Sequence, residues 1–173
     1  MAPRMMPRRA FGWTTAALIL PFALSGCGSM PSSSSAADPN LAAPMASRLS
    51  PVQATDITIY AIGLVGTPYR YGGNTPSSGF DCSGLIGHVY QTRAGLLPPR
   101  TVAKLRDWGQ SVAGDSIRTG DLVVFVQNGV ATHAGIYVGS GRFVHAPSSG
   151  GEVRLDNLKS KYWAAQQVAF RRP

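Results

Sequence analysis

The sequence is poor in cysteine, in acidic side chains and in long apolar runs. Its 173 residues hold two cysteines, Cys27 and Cys82, so at most one disulfide could close within the chain. Asp and Glu number 8 against 16 Lys and Arg, a formal net charge of +8. The most apolar stretch, Ala10 to Leu24, is interrupted by Pro21 and falls short of the roughly 20 apolar residues that span a bilayer. No internal repeat is visible, which excludes stacked-repeat architectures.

The flanks of that apolar stretch explain it. Arg4, Arg8 and Arg9 precede it with no acid among them, and Leu24-Ser25-Gly26-Cys27 follows. A basic start, a short apolar region and small residues before a cleavage point read as an export signal. Leu-Ser-Gly-Cys also resembles the lipobox of bacterial lipoproteins, which implies cleavage after Gly26 and a membrane anchor through a lipid on Cys27. The plain alternative is a small residue beside an ordinary cleavage site. Gly28-Ser29 lacks the aspartate that resembles an inner-membrane retention signal, so an outer-membrane location facing the periplasm is expected. Arg8-Arg9 bears a faint resemblance to a twin-arginine signal.

With Cys27 lipidated, Cys82 has no partner in the chain, and a lone thiol in an oxidising compartment must be buried or used. The segment from Gly28 to Pro51 is rich in Ser, Ala and Pro with no hydrophobic period, the composition of a flexible tether. The expected organisation is a signal peptide over 1–26, a lipidated linker over 27–51 and one folded domain over 52–173. In that domain twelve Lys and Arg oppose seven Asp and Glu, a balance of +5. This is either a solvated surface or an attraction to an anionic polymer or lipid surface. Nucleic acid is not expected as a partner of an exported, anchored protein.

Within the domain, Ile57, Tyr60, Ala61, Leu64 and Val65 recur at helical spacing, predicting a helix over 54–65 that Gly66 stops. A long Gly/Pro loop runs from Gly66 to Gly79. Leu85, Ile86, Val89 and Tyr90 define one face of a helix over 81–93, with Asp81 placed to cap it. A short helix over 101–108 is closed by Gly109. From Asp121 the pattern turns to strands, expected over 122–126, 134–138, 142–146, 153–155 and 166–171, separated by turns rich in Gly, Asn and Ser. Helices first and antiparallel strands second predict an α+β domain with the helices packed on one face of the sheet.

Cys82 falls in the first turn of the second helix. Free backbone N–H groups and the positive helix end there favour a thiolate and could hold an oxyanion. Gly84 leaves room beside it for a substrate. A base is still needed. His88, six residues on, cannot easily reach back to the sulfur and reads as structural or exposed. His133 and His145 flank the Gly139-Ser140-Gly141 turn. A three-residue loop would pair residue 133 with 147 and make the two histidines diagonal neighbours on one face. One imidazole could then deprotonate Cys82 while the other fixes its tautomer. A two-residue turn would send them to opposite faces. The competing readings are a buried apolar cysteine and a zinc site, which the spacings of 51 and 12 residues and the want of a fourth ligand disfavour.

Five segments in order, Gly66-Thr67-Pro68-Tyr69-Arg70-Tyr71-Gly72-Gly73, Asp81-Cys82-Ser83-Gly84, Arg118-Thr119-Gly120-Asp121-Leu122, His133-Ala134-Gly135-Ile136-Tyr137 and Phe143-Val144-His145-Ala146, together resemble the NlpC-type cell-wall cysteine peptidases. The resemblance runs from about Asp56 to Arg172 and implies a papain-like fold. It also implies Cys82 as nucleophile, His133 as general base and His145 as the polar residue orienting it. Tyr69 would place its hydroxyl near the oxyanion site, with Tyr71 as the fallback. Asp81 and Ser83 are weaker candidates for binding a free peptide amine, N-capping being the plain alternative. No metal or other cofactor is implied. The implied activity is hydrolysis of peptide stems or cross-links of peptidoglycan. The alternatives are a non-catalytic wall-binding or assembly lipoprotein, and an acyltransferase or amidase on the same scaffold. The loop GGNTPSSGF before Asp81 is slightly long beside the most similar pattern within that family, which is expected to alter the cleft wall.

Overall fold

The computed structural model describes residues 47–149 and 151–173. The expected signal peptide, Cys27 and most of the expected linker lie outside the described residues. No helix among the described residues is long and apolar enough to cross a membrane.

The first helix, α1, spans Pro51–Gly63, three residues earlier than the apolar spacing predicts. Its start is set by polar chemistry instead. The Ser50 side chain accepts from the Gln53 N–H at 3.2 Å, Gln53 Oε1 accepts from the Ser50 N–H at 3.0 Å, and Pro51 occupies the first turn. This capping box satisfies two donors that a helix start otherwise leaves orphaned. The segment before α1 is tied in as well, with the Arg48 N–H and the Ser47 hydroxyl both donating to the Pro173 carbonyl.

After α1 the chain forms a two-residue ladder, β1 (Asn74–Thr75) with β2 (Gly79–Phe80). The helix that begins at the cysteine, α2, spans Cys82–Ala94. Asp81 caps it, accepting from the Gly84 N–H at 2.7 Å, and Gly95 closes it at a φ of 66°, the left-handed conformation that favours glycine. Leu85, Ile86, Val89 and Tyr90 are fully buried, as their spacing predicts, each contributing about 1.5–3 kcal/mol by removal from water. The third helix is shorter than expected: α3 covers only Val102–Leu105.

Eight strands are assigned in the described chain: β1, β2, β3 (Gln110–Val112), β4 (Leu122–Gln127), β5 (Val130–Gly139), β6 (Arg142–His145), β7 (Arg154–Asn157) and β8 (Gln167–Arg172). The last six form one antiparallel sheet in the order β3-β8-β4-β5-β6-β7. Four elements escape the sequence pattern. The two-residue strands β1 and β2 lie in the expected loop, the edge strand β3 is only three residues long, and a four-residue helix, α4 (Lys161–Ala164), lies between β7 and β8. Strand β5 also starts earlier than expected, because Asn128 and Gly129, both at positive φ, make a tight turn that pairs Val130 with Gln127.

Both faces of the sheet are covered. Leu122, Val124, Ala134, Ile136 and Val144 pack against Ile57, Ala61, Leu85, Ile86 and Val89 in the main core. On the other face Val123, Phe125 and Phe143 form a smaller cluster with Trp163, Val168 and Phe170 packed against it. Strand alternation places His133 and His145 with this second cluster.

A buried ion pair anchors the start of β4. Asp121, 2 % exposed, accepts from Arg172 Nε at 2.9 Å, from the other Arg172 nitrogen at 2.7 Å and from the Arg118 N–H at 2.8 Å. Asp121→Ala is expected to cost about 3–5 kcal/mol, because it strands these donors; denaturant unfolding of the variant measures it.

Candidate active site

Three elements supply the groups that the sequence singles out. The start of α2 carries Asp81, Cys82 and Ser83, the loop before β1 carries Tyr69 and Tyr71, and strands β5 and β6 carry His133 and His145.

The turn between β5 and β6 is not the three-residue loop that would make the histidines neighbours. Gly139 pairs with Arg142, leaving the two-residue turn Ser140-Gly141, the geometry expected to separate them. A register shift between Tyr137 and Gly139 cancels that offset, so Tyr137 faces Phe143 and Ile136 faces Val144. Carried on, this register sets 135 opposite 145 and 133 opposite 147, and both histidines share a face. Their rings meet, with His133 Nε2 2.8 Å from His145 Nδ1. Gly135 makes the approach possible, since a Cβ there would lie 3.1 Å from the His145 Cβ and 2.8 Å from the Phe143 ring.

The chain of polar contacts continues to a residue outside the five motifs. His145 Nε2 lies 3.0 Å from Asp156 Oδ2 on β7, and the same oxygen accepts from Trp163 Nε1 at 2.9 Å. Arg154 donates to Asp156 Oδ1 at 3.1 Å. Trp163 also stacks on the His133 ring and meets the His145 ring edge-on. The one sequence signal for Asp156 is register. It is an acid immediately beyond the expected 153–155 strand, and it pairs with Phe143, the same-face neighbour of His145.

Burial sets the charge of this group. His145 is wholly buried, and desolvation lowers its pKa although the Asp156 hydrogen bond works the other way. Burial, then the neighbouring His145, push His133 down to about 3. Both rings are therefore neutral near pH 7, and the His145 to Asp156 contact is a hydrogen bond from an uncharged ring. Asp156 itself is held below its ordinary value: burial acts upward, and the bonds from Trp163 and His145 outweigh it.

The structure corrects two expectations around Cys82. The thiol pKa is raised, not lowered. Burial dominates and the Asp81 charge adds to it, outweighing the N–H groups of Ser83, Ala134 and Cys82 that favour the thiolate. The resting state pairs a neutral thiol with neutral imidazoles. The imidazoles hydrogen-bond to each other and His145 to Asp156, while the backbone N–H groups of Ser83, Ala134 and Cys82 act on the thiol in favour of its anion. Ala134, whose N–H favours the thiolate, directly follows His133 on β5.

Gly84 does not leave room for a substrate. A Cβ there would sit 2.0 Å from the Gly73 carbonyl oxygen and 3.2 Å from the Arg100 guanidinium, so the glycine lets the loop close on the helix. Gly84→Ala should therefore prise the nucleophile helix from the loop. The expected cost is about 1–3 kcal/mol together with loss of activity, read by thermal unfolding and a turnover assay.

Asp81 and Ser83 are committed to the protein. The Asp81 carboxylate accepts from the N–H groups of Gly72 and Gly84, from the Ser83 hydroxyl and from two nitrogens of Arg100, at 2.6–3.1 Å. Arg100 also donates to the Ser83 hydroxyl. Burial acts upward on the Asp81 pKa, and the Arg100, Gly84 and Ser83 bonds hold it below its ordinary value. This carboxylate caps the helix and is paired with Arg100, and it lines the cleft together with Ser83. Arg100, in the Pro98-Pro99-Arg100 stretch, carries no helical or strand periodicity that would mark it in the sequence.

Tyr69 is held by two connections, its N–H to the Gly151 carbonyl at 2.7 Å and a parallel bridge to Phe80. Its hydroxyl pKa is raised by burial and by Cys82 and Asp81, so it stands near the thiol as a protonated donor. Tyr71 lines the same cleft but is 90 % exposed. That open cleft of about 630 Å³ is lined by Tyr69, Tyr71, Asp81, Cys82, Arg100 and Thr132, among others. His88 lies apart, with Nε2 2.9 Å from the Tyr60 hydroxyl and its ring against Phe80, a structural role as expected. Among the described residues, no group of three or more His, Cys, Asp or Glu is arranged to hold a metal ion.

Known proteins share this arrangement of elements. The NlpC/P60 family model matches residues 66–172. The gamma-DL-glutamyl hydrolase of Bacillus subtilis is 41% identical over 111 residues, 62% of this chain and 26% of the relative. The murein DD-endopeptidase MepS/murein LD-carboxypeptidase of Escherichia coli is 37% identical over 107 residues, 62% of this chain and 56% of the relative. The chain thus spans about a quarter to just over half of these relatives' length. Among solved structures, the NlpC/p60 domain of the peptidoglycan hydrolase SagA superposes with a TM-score of 0.59 at 31% identity, covering 67% of this chain and 96% of that domain.

Proposed function

The chain belongs to the NlpC/P60 family, and from that premise we propose that it is a cysteine-type peptidoglycan endopeptidase, cutting peptide stems or cross-links of bacterial murein. The observation that carries the reading is the neutral imidazole pair, His133 Nε2 to His145 Nδ1 at 2.8 Å, with His133 next on β5 to Ala134, whose N–H favours the Cys82 thiolate. A buried cysteine serving only as packing would not need such a pair beside an open cleft.

In this mechanism Cys82 Sγ attacks the carbonyl carbon of a stem amide as its proton passes to His133. The C–N bond breaks, the proton moves to the leaving amine, and a thioester remains on Cys82 until water hydrolyses it. In this reading the N–H groups of Cys82 and Ser83 at the start of α2, with the Tyr69 hydroxyl, hold the transient oxyanion. Because the thiol is not ionised at rest, proton transfer and attack are coupled, and His133 is required for every turnover.

The envelope is the location that this activity requires. The Leu24-Ser25-Gly26-Cys27 stretch supports a lipid on Cys27 and residence at the outer membrane facing the periplasm. The test is incubation of the full chain, solubilised in detergent, with purified murein, and identification of the products by mass. New peptides whose masses assign a stem or cross-link bond support the reading. Binding without products would give the chain a wall-binding role instead, and transfer of the acyl group to an added amine would mark an acyltransferase.

A further inference from the structure

We propose that Asp156 is a positioning residue for proton transfer at Cys82, fixing through His145 which nitrogen of His133 is bare. The proposal deepens the reading of Cys82 and His133 as nucleophile and base and rests on it.

Asp156 accepts at both oxygens from groups that can only donate, the Trp163 indole N–H at Oδ2 and the Arg154 guanidinium at Oδ1. It is an ionised acceptor, so the His145 nitrogen 3.0 Å from Oδ2 must carry the proton. A neutral imidazole has one N–H, and once Nε2 of His145 holds it, Nδ1 is an acceptor. The His133 nitrogen 2.8 Å from that acceptor must then donate. His133 Nε2 holds the single N–H of its neutral ring, and Nδ1 is left with the lone pair that takes the thiol proton. Among the described residues, the side chains set around these rings are Phe125 from β4, Phe143 from β6, Asp156 and beyond it Arg154 from β7, and Trp163 from α4. Only Asp156 among them is an anion in contact with the pair.

Without that carboxylate the chain can run in reverse. His145 is free to hold its proton on Nδ1 and donate it to His133 Nε2, which moves the His133 proton to Nδ1 and removes the base. The carboxylate also stabilises the His133 imidazolium that forms during attack, through the polarised His145 ring. Trp163 divides these two contributions. Its indole N–H requires an oxygen at the Oδ2 position, so in Asp156→Asn the amide oxygen is held there. The tautomer then persists while the charge is lost. In Asp156→Asn combined with Trp163→Phe the amide can flip and offer its NH₂ to His145.

The experiment uses the full chain with ¹⁵N-labelled histidine, reading imidazole ¹⁵N shifts, and kcat and KM on a murein stem peptide. Both rings should be protonated at Nε2 in the unmodified chain. Asp156→Ala should redistribute the proton on His145 and lower kcat on the order of 10²-fold with little change in KM. Asp156→Asn should keep the tautomers and lose roughly tenfold, and the added Trp163→Phe should bring it down to the Ala level. If Asp156→Ala does not fold, the two Asn variants carry the comparison. Unchanged tautomers with unchanged kcat in Asp156→Ala would overturn the proposal, as would equal losses in the Ala and Asn variants with both tautomers intact. A stem peptide left uncut by the unmodified chain would sink the proposed function alone, since the ¹⁵N shifts need no substrate and still decide the positioning.

Discussion

Cys82→Ala is expected to lower kcat on murein peptides by at least about 10⁴-fold, because the acyl intermediate forms on the Cys82 sulfur. The fold should survive, since the methyl group keeps the first turn of α2 and the cap by Asp81 depends on the backbone. Cys82→Ser should be nearly as inactive. Its hydroxyl is a far weaker acid than the thiol, and burial holds His133 near pKa 3, too weak a base to make up the difference. The raised thiol pKa has its own consequence. Alkylation of Cys82 by a small neutral reagent should be slow at pH 7 and should accelerate only above pH 9, the ordinary thiol value. Fast alkylation at neutral pH would show a resting thiolate and contradict the neutral-pair description.

Acid is expected to destabilise the domain from pH 6.5 downward, and His133→Gln to remove much of that slope. The unfolded chain takes a proton at His133 as pH falls through 6.5, whereas the folded chain refuses it until about 3. Between those values the unfolded state binds more protons, so stability rises with pH and is lost as pH falls. One such proton contributes a slope of at most about 1.4 kcal/mol per pH unit. His145, shifted in the same direction, steepens the upper end of the window. The lowered carboxylates, Asp81 and Asp156, act below the ordinary carboxylate value of 3.8, so the two classes separate on the pH axis. Urea unfolding at pH 4.5 to 7.5 measures this. A slope equally steep in His133→Gln would mean that the ring is not buried neutral. The same variant should lose activity by about 10³-fold at pH 7.

Much of this domain was legible in the sequence for a physical reason: apolar periodicity reports burial, and burial places helices and strands. The face Leu85, Ile86, Val89 and Tyr90, the Asp81 cap and the main strands all followed from it. What the pattern did not report was polar chemistry at a distance. The start of α1 was set by Ser50 and Gln53, and Arg100 reached Asp81 from a segment with no periodicity. Asp156 joined the histidines only through the pairing of β6 with β7. The histidine pair was anticipated with the correct pairing of faces but for an incomplete reason, since the turn is two residues long and the shift at Val138 restores the register. The helix start alone favours a thiolate, and the burial around the sulfur reverses it. A few N–H groups do not offset desolvation of a sulfur with a carboxylate beside it.

The account turns on one covalent event, and the most direct measurement traps it. A murein stem peptide is mixed with the full chain, quenched in acid within the first turnovers, and the protein is mapped by peptide mass. The mechanism predicts an added mass equal to the acyl half of the substrate on the peptide that carries Cys82, absent from Cys82→Ala and strongly reduced in His133→Gln. Turnover at an unchanged rate in Cys82→Ala, with no adduct on the unmodified chain, would contradict it.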